Sequence, residues 1–257
     1  MAYTGSDVSE VTMKLTILFM AFAPLLVISG PAAAKAFQVD TFSTVGGDLR
    51  ISFVGHGSLI LEYGGKVIHI DPYGQLADYS KMPDADLILI THEHPDHLDL
   101  DAISKILKDS TIIVANPGAA AKVEGARVMK NGDRSEVMGL SIEAVPAYNI
   151  IHKRDNGEPF HPPGRDNGYL LTFADKRVYI AGDTENIVEM KNLGHVDIAF
   201  LPANLPYTMT PEMAAEAARW IRPKVLYPYH YGDTDVARIA ELLSDQPDIE
   251  VRIRSMK

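Results

Sequence analysis

The sequence predicts a single α/β domain over residues 37–257, and two patterns lead to this prediction. Short runs rich in isoleucine and valine, bounded by turn residues, dominate the first third of this region, as is typical of β-strands. Further along, such runs alternate with segments in which apolar residues recur at helical spacing. No charge run, low-complexity segment or Pro/Gly-rich linker divides the region, so one domain is the simplest interpretation.

The strands follow from the apolar runs and from the turns between them. Gly64-Gly65 forms a two-residue hairpin turn between the second and third strands. In chain order, the predicted strands are 49–54, 58–63, 66–70, 86–90, 112–115, 141–145, 169–173, 177–181, 199–201 and 225–227.

Four helices are predicted from apolar residues at helical spacing, at 101–108, 187–193, 211–221 and 236–243. The third has a typical helix start, because the hydroxyl of Thr210 can cap it and Pro211 suits its first turn.

Residues 1–36 are predicted to be a secretory signal peptide. Lys14 precedes an apolar run over 15–29, and small residues follow that permit cleavage after Ala34 or Ala36. The run is shorter than the roughly 18–20 residues of a membrane-spanning helix, although an uncleaved anchor is the alternative. Two acidic residues before Met13 do not suit a signal, so either Met13 is the true start or 1–12 is an upstream extension. The sequence therefore predicts a periplasmic or secreted protein without stable membrane insertion after cleavage.

Composition excludes several classes of protein. The chain has no cysteine, which excludes a disulfide scaffold, a cysteine-ligated zinc site and a cysteine nucleophile. Its hydrophobic fraction of 46% is normal for a globular protein. A formal net charge of −10 argues against nucleic-acid partners, because phosphate attraction needs a basic face. The predicted partner is a small-molecule substrate, and the oligomeric state stays open.

The chemistry concentrates in the segment 91–97, which directly follows an apolar strand. His92 and His94 project to the same side of an extended segment and can hold one metal ion. Asp96 and His97 lie past the turn and can reach a second ion. Imidazole and carboxylate ligands suit zinc, manganese or iron. The alternative is a solvated histidine-rich turn, but composition alone rarely places these four residues so closely.

Two later strand ends offer further ligands. Asp183 follows the strand 177–181, and a carboxylate there can bridge two cations. His230 follows the strand 225–227 in the same way. Each also has a structural explanation, Asp183 as a helix cap and His230 as a hydrogen-bonded core histidine.

With these residues, the chain resembles the metallo-β-lactamase superfamily, in its lactonase-like and phospholipase-like branch. The matching stretches are 54–58, 70–72, 91–97, 146–149, 181–184, 207–210 and 228–232. The resemblance implies a four-layer αββα sandwich with metal ions at the top edge, between the sheets. It also implies a ligand set: a first ion on His92, His94 and a third histidine, a second on Asp96, His97 and His230, and Asp183 between them.

The third histidine has two candidates, His152 and His161, which both follow the strand 141–145. The superfamily pattern is similar to an aromatic-His-Pro-x-Gly segment that leads into the next strand, and residues 160–164 match it. The resemblance therefore favours His161.

Other residues carry weaker predictions. Asp71 either hydrogen-bonds a ligand histidine or is a turn residue before a proline. His56, flanked by glycines, either faces the pocket or is a turn residue. Tyr148 and Tyr207 are candidates for lining the pocket. Glu93 lies between two ligands and is expected to point away.

The site predicts a hydrolase with two divalent metal ions, zinc or alternatively manganese or iron. Such ions lower the pKa of a bridging water, and the resulting hydroxide attacks an electrophilic carbon, with Asp96 orienting it or carrying its proton. The predicted substrate is a lactone or another carboxylic ester; a phosphodiester, as in a phospholipase, is the alternative. An aspartate at position 183 is more similar to the pattern of lactonases than to that of true β-lactamases, many of which have another residue there. A non-catalytic metal-binding protein is a further alternative, disfavoured by the complete ligand set.

Overall fold

Two seven-stranded β-sheets form the centre of the structure, a computed structural model that describes residues 1–2 and 37–257. Residues 37–257 form one unit. Apart from its first two positions, the predicted signal peptide lies outside the described residues. No helix among the described residues combines the length and the apolar character that crossing a membrane requires.

The first sheet contains the first seven strands in sequence order. Neighbouring strands are antiparallel from the first to the fourth and parallel from the fourth to the seventh. Its strands are β1 (Gln38–Thr44), β2 (Gly47–Gly55), β3 (Ser58–Tyr63), β4 (Lys66–Ile70), β5 (Leu87–Ile90), β6 (Ile112–Ala115) and β7 (Arg127–Val128).

The second sheet repeats this plan with the next seven strands, again antiparallel over its first four and parallel over its last four. Its strands are β8 (Arg134–Val137), β9 (Leu140–Ala147), β10 (Asp166–Phe173), β11 (Lys176–Ile180), β12 (Ile198–Pro202), β13 (Val225–Tyr229) and β14 (Glu250–Val251).

Helices cover the outer face of each sheet. Apolar residues of α1 (Leu100–Ile106) and α2 (Pro117–Ala120) pack on the first sheet, and those of α3 (Pro211–Ile221) and α4 (Ala237–Leu242) pack on the second. Two 3-10 helices, Tyr79–Lys81 and Val188–Asn192, complete the secondary structure of the described residues. As predicted, the Thr210 hydroxyl caps α3 and accepts a hydrogen bond from the Met213 N–H at 3.1 Å.

The main core lies between the two sheets, where apolar side chains of both inner faces interlock. The ring centroid of Phe53 on β2, for example, lies 4.9 Å from that of Tyr227 on β13. With one helix layer outside each sheet, the order is helix, sheet, sheet, helix. The predicted αββα sandwich is therefore confirmed.

The sequence patterns missed the edges of both sheets. β1 is an edge strand of mainly polar, exposed residues, so no apolar run marks it. β7 and β14 have two residues each, too few for a periodic pattern. The predicted helix at 187–193 is a five-residue 3-10 helix, and Gly194, two residues beyond its end, has a left-handed conformation (φ 73°).

Candidate metal centre

All the sequence-predicted metal-ligating residues lie at one edge of the two sheets. The segment 91–97 follows β5, Asp183 follows β11 and His230 follows β13. His161 lies in the loop between β9 and β10. Strands that run in the same direction end at the same edge, so side chains distant in sequence converge there.

Backbone contacts join the two sheets at this edge. The Asn167 N–H donates to the Thr91 carbonyl at 3.1 Å, and the His230 N–H donates to the His56 carbonyl at 3.0 Å. Gly182, which precedes Asp183, has a left-handed backbone (φ 67°), and a Cβ there would lie 2.6 Å from the Asn167 carbonyl oxygen. Only glycine permits this close approach.

The first group of donor atoms comes from His92, His94 and His161. Their ring nitrogens lie within 4.8 Å of one another. Nε2 of His92 lies 3.0 Å from Nδ1 of His94. The structure thus brings His161 into this group, as the resemblance predicts, and the two histidines of the motif face the same point.

The second group comes from Asp96, His97 and His230, and also includes His56. Oδ2 of Asp96 lies 3.0 Å from Nε2 of His56, 3.7 Å from Nε2 of His230 and 3.8 Å from Nε2 of His97. The rings of His56 and His230 lie 3.6 Å apart. His56 lines the pocket, as one of its two predicted roles requires, and its backbone also forms a tight turn (φ 51°).

Asp183 lies between the two groups. Its Oδ2 is 3.3 Å from Nε2 of His161 in the first group and 3.4 Å from Nε2 of His230 in the second. Its Oδ1 is 3.5 Å from Nε2 of His97. One buried carboxylate therefore reaches both groups, which is the position that a bridging ligand needs.

The donor atoms fit metal ions. Nε2 of His97, His161 and His230 and Oδ1 of Asp183 are buried without a hydrogen-bond partner. Buried polar atoms normally have a partner, so four in one cluster point to a ligand. Tetrahedral zinc, with Zn–N bonds of about 2.0–2.1 Å, places its ligand atoms about 3.3 Å apart. Four of the distances between donor atoms, 3.0–3.5 Å, are close to that spacing, and the two from Asp96 to His230 and His97, 3.7 and 3.8 Å, are longer.

The protonation states suit metal binding except at His97, where burial would lower the pKa but two neighbouring carboxylates raise it well above its usual value, so a metal ion has to displace a proton there. Burial lowers the pKa of His161 to about 4, and burial together with the neighbouring His97 lowers that of His92 far below its usual value. Both rings are then neutral at pH 7 and have a free nitrogen. Burial alone would raise the pKa of Asp183, but His230 and His97 lower it well below the usual range, so it is ionised.

Asp71 orients His97 from behind. Its Oδ2 accepts from Nδ1 of His97 at 2.8 Å and from the Thr91 hydroxyl at 2.6 Å, and its Oδ1 accepts from the Thr91 N–H at 2.8 Å. Because Nδ1 donates to Asp71, Nε2 of His97 is the nitrogen that remains for a metal ion once its proton is released. Asp71 therefore does hydrogen-bond a histidine of the cluster, the first of the two readings.

Asp71→Asn is expected to weaken metal binding by about 10- to 100-fold, the usual effect of changing the partner of a metal-binding histidine. Asparagine tolerates the left-handed backbone of this position (φ 43°), so the fold should survive. Competition with a chromophoric chelator measures the affinity. Unchanged affinity in a folded variant would show that Asp71 is only a turn residue.

Asn149 and Glu185 were missed by the sequence patterns as supports of the site. Oδ1 of Asn149 accepts from Nδ1 of His161 at 2.7 Å and from its N–H at 2.9 Å, which leaves Nε2 of His161 for the cluster. Asn149 stands in a stretch that matches the superfamily, but nothing in the sequence pairs it with a histidine.

Glu185 anchors the start of the loop between β9 and β10. Its buried carboxylate accepts from the N–H groups of Ile150 and Ile151, both at 2.8 Å, and of His152 at 2.6 Å. Nδ1 of His152 lies 2.8 Å from Oε1 of Glu185. His152 thus belongs to the loop anchor, and the structure does not bring it into either donor group.

Glu185→Gln is expected to destabilise the protein by about 2 kcal/mol at pH 7, because three N–H groups lose an ionised acceptor. Burial would raise the pKa of Glu185, but the N–H groups of His152, Ile151 and Ile150 lower it. Its stabilisation is therefore present above the unfolded pKa of about 4.3 and lost as pH falls through the lower folded value. Urea unfolding should show a smaller loss of stability on acidification in the variant than in the wild type; equal losses would contradict this role.

A pocket of about 440 Å³ opens over the cluster. Its walls beyond the cluster include Arg154, Phe160, Asn204 and Tyr207. Tyr207 therefore lines the pocket as predicted. The prediction for Tyr148 is wrong, because its hydroxyl points to the Glu189 carboxylate at 3.0 Å and its side chain is not part of the pocket wall.

Glu93 points away from the cluster as predicted, and its carboxylate accepts from the Asn116 amide at 3.1 Å.

Comparison with known proteins agrees with this architecture. A family profile described as a beta-lactamase superfamily domain matches residues 50–230, so the chain belongs to that superfamily. It is also 34% identical to a UPF0173 metal-dependent hydrolase of Methanopyrus kandleri, over 72% of this chain and 84% of that protein. Within the superfamily, the chain is thus a member of the UPF0173 metal-dependent hydrolase family.

Solved structures are similar over most of the chain. A protein of Parabacteroides distasonis, assigned as a metal-dependent hydrolase, is 52% identical with a TM-score of 0.82, over 86% of this chain and all of that one (100%). A metallo hydrolase of Ignicoccus hospitalis is 25% identical with a TM-score of 0.66, over 81% of this chain and 96% of that one. The superfamily resemblance seen in the sequence motifs is therefore confirmed.

Proposed function

We propose that this metal-dependent hydrolase cleaves a lactone or another carboxylic ester at a centre of two divalent ions, zinc or alternatively manganese or iron. Family membership supports metal-dependent hydrolysis. The observation that carries the dinuclear proposal is Asp183, whose Oδ2 lies 3.3 Å from a donor of one group and 3.4 Å from a donor of the other.

The residues divide between the two ions. We propose that His92, His94 and His161 would hold one ion, that Asp96, His97 and His230 would hold the other, and that Asp183 would contact both. When bound, such ions supply an acidified water molecule and a positive field for the developing oxyanion. The neutral rings of His92 and His161 and the ionised Asp183 supply donor atoms without first having to lose a proton, whereas His97 has to release one.

Asp96 is the proposed catalytic residue. Its side chain is 36% exposed and lines the pocket, whereas the side chain of Asp183 is buried. Nε2 of His56 lies 3.0 Å from Oδ2 of Asp96. Burial would raise the pKa of Asp96, but the neighbouring His230 and His56 lower it. An ionised carboxylate at the pocket floor can orient the attacking water and pass its proton to the leaving alcohol.

Proton release from a substrate panel tests the proposal. The protein is loaded separately with zinc and manganese and is given several lactones, an aryl acetate and one phosphodiester. Turnover of lactone or ester that needs the metal would support the proposal. Turnover of the phosphodiester with inert lactones and esters would replace it by phosphodiester hydrolysis, and two bound ions without any turnover would overturn it.

A further inference from the structure

The pocket wall outside the cluster combines one cation with two aromatic rings. Arg154 and Phe160 come from the loop between β9 and β10, and Tyr207 comes from the segment after β12. The volume of about 440 Å³ lies in the range of small-molecule sites. None of these three side chains belongs to the proposed metal-binding set, so they are free to act on the part of a substrate that does not react.

The backbone of Arg154 is held in a small hairpin. Its N–H donates to the Glu158 carbonyl at 2.7 Å, and its carbonyl accepts from the Gly157 N–H at 2.9 Å. Lys153 and Pro159 pair across the hairpin in an isolated antiparallel bridge. The hairpin therefore fixes the position of the Arg154 backbone beside the pocket.

The guanidinium of Arg154 is oriented but not neutralised. It lies over the ring of Phe160, 4.9 Å from the centroid, and one of its nitrogens is 3.4 Å from the Phe160 carbonyl oxygen. It forms no ion pair with a carboxylate of the described residues. Arg165 in the same loop differs, because Asp166 accepts two hydrogen bonds from it at 2.7 Å. Arg154 thus keeps most of its five N–H donors for a ligand.

The aromatic rings form an apolar surface beside this cation. Phe160 and Tyr207 pack edge to face with centroids 5.1 Å apart, and Tyr207 is 45% exposed. The apolar body of a ligand can cover these rings while an anionic group reaches the guanidinium. Arginine recognises carboxylate and phosphate through paired hydrogen bonds, which a neutral group cannot match.

We propose that Arg154 selects substrates that carry an anionic group, a carboxylate or a phosphate, on an apolar body that packs on Phe160 and Tyr207. The inference rests on the proposed hydrolysis for its reacting bond, but the anion site itself can be tested by binding. Arg154 is a specificity residue in this scheme, because it contacts the substrate away from the scissile ester.

The test compares matched ligands that differ in charge. Calorimetry on the metal-loaded protein gives the Kd values of phenylacetate, phenyl phosphate and neutral phenylacetamide. The wild type should bind at least one anion more tightly than the amide, and Arg154→Met should reduce that preference about 10- to 100-fold. Methionine keeps a long apolar chain over Phe160, so the change tests charge rather than packing.

Two further variants complete the test. Arg154→Lys should restore part of the preference, since it restores the charge but not the paired geometry. Arg50→Met removes the same charge from the exposed face of β2, where Arg50 pairs with Glu62 at 3.1 Å, and should keep the wild-type preference. Comparing phenyl phosphate with phenylacetate identifies which anion is preferred.

Turnover separates this proposal from the proposed function. The ratio of kcat/KM for 4-acetoxybenzoate over 4-acetoxybenzamide should fall in Arg154→Met together with the binding preference. If neither these esters nor any lactone reacts but anion binding depends on Arg154, the proposed ester hydrolysis is contradicted and the anion site stands. If the Kd ratio in Arg154→Met equals that of the wild type, anions bind elsewhere, including directly at the metal ions, and the anion site is overturned.

Discussion

Asp183→Asn is expected to lower ester hydrolysis by about a thousandfold or more. Three imidazole nitrogens lie within 3.3–3.5 Å of the Asp183 oxygens, and an amide would replace one of these oxygens by an N–H donor. The amide also removes the negative charge that two cations would share. Metal analysis of the purified variant should accordingly find fewer than two ions per chain.

The control for Asp183→Asn is Asp101→Asn, the same change at an exposed carboxylate of α1 that pairs with Lys105. It should keep wild-type activity and metal content. Circular dichroism checks that both variants fold. A folded Asp183→Asn protein with two ions and more than a tenth of the wild-type activity would remove the basis of the dinuclear proposal.

Replacing His161 and His152 separately should give opposite results for metal content. His161→Ala removes a ring nitrogen 3.3 Å from the proposed bridging carboxylate, so one of two ions should be lost or weakened by more than about 100-fold. His152→Ala removes only a contact to Glu185 and should leave both ions in place. Inductively coupled plasma analysis after dialysis against metal-free buffer measures the difference.

Activity provides a second measurement on the same pair. His161→Ala should lose most turnover, whereas His152→Ala should lose less, because its effect passes through the position of the loop. If His161→Ala keeps its full metal content and His152→Ala loses metal, then His152 is the metal ligand and His161 is not. The turnover of Asn149→Ala, which removes the hydrogen-bond partner of His161 Nδ1, should lie between those of the two histidine variants.

Sequence reasoning predicted part of the cluster from local spacing alone. Residues 92–97 share one turn, so their side chains must lie near one another whatever the rest of the fold does. Asp183 and His230 were found because each follows a buried strand, and strand ends gather at one edge. The sandwich itself required the resemblance as well, since alternating strands and helices fit several α/β folds.

The remaining features depend on contacts between distant segments. Asp71 bonds a histidine that lies 26 residues further along the chain. Whether His161 or His152 joins the cluster depends on Asn149 and Glu185, which the sequence does not connect to them. The role of Arg154 was equally hidden, because a charged residue in a polar loop is ordinary and only the structure shows that it belongs to the pocket wall. Secondary-structure propensity describes one segment at a time, whereas these features depend on contacts between segments that are far apart in the sequence.

Neither half of the chain holds a complete set of donors. The first sheet contributes the segment 91–97 and the second contributes His161, Asp183 and His230, joined only where the sheet edges meet. A growing chain therefore has no complete centre until its two halves have docked. Metal ions bound there would link the two halves, and the stabilisation that they give would increase with the free ion concentration. A chain that crosses a membrane unfolded would take its ions from the compartment in which it folds, and its metal content would record that compartment.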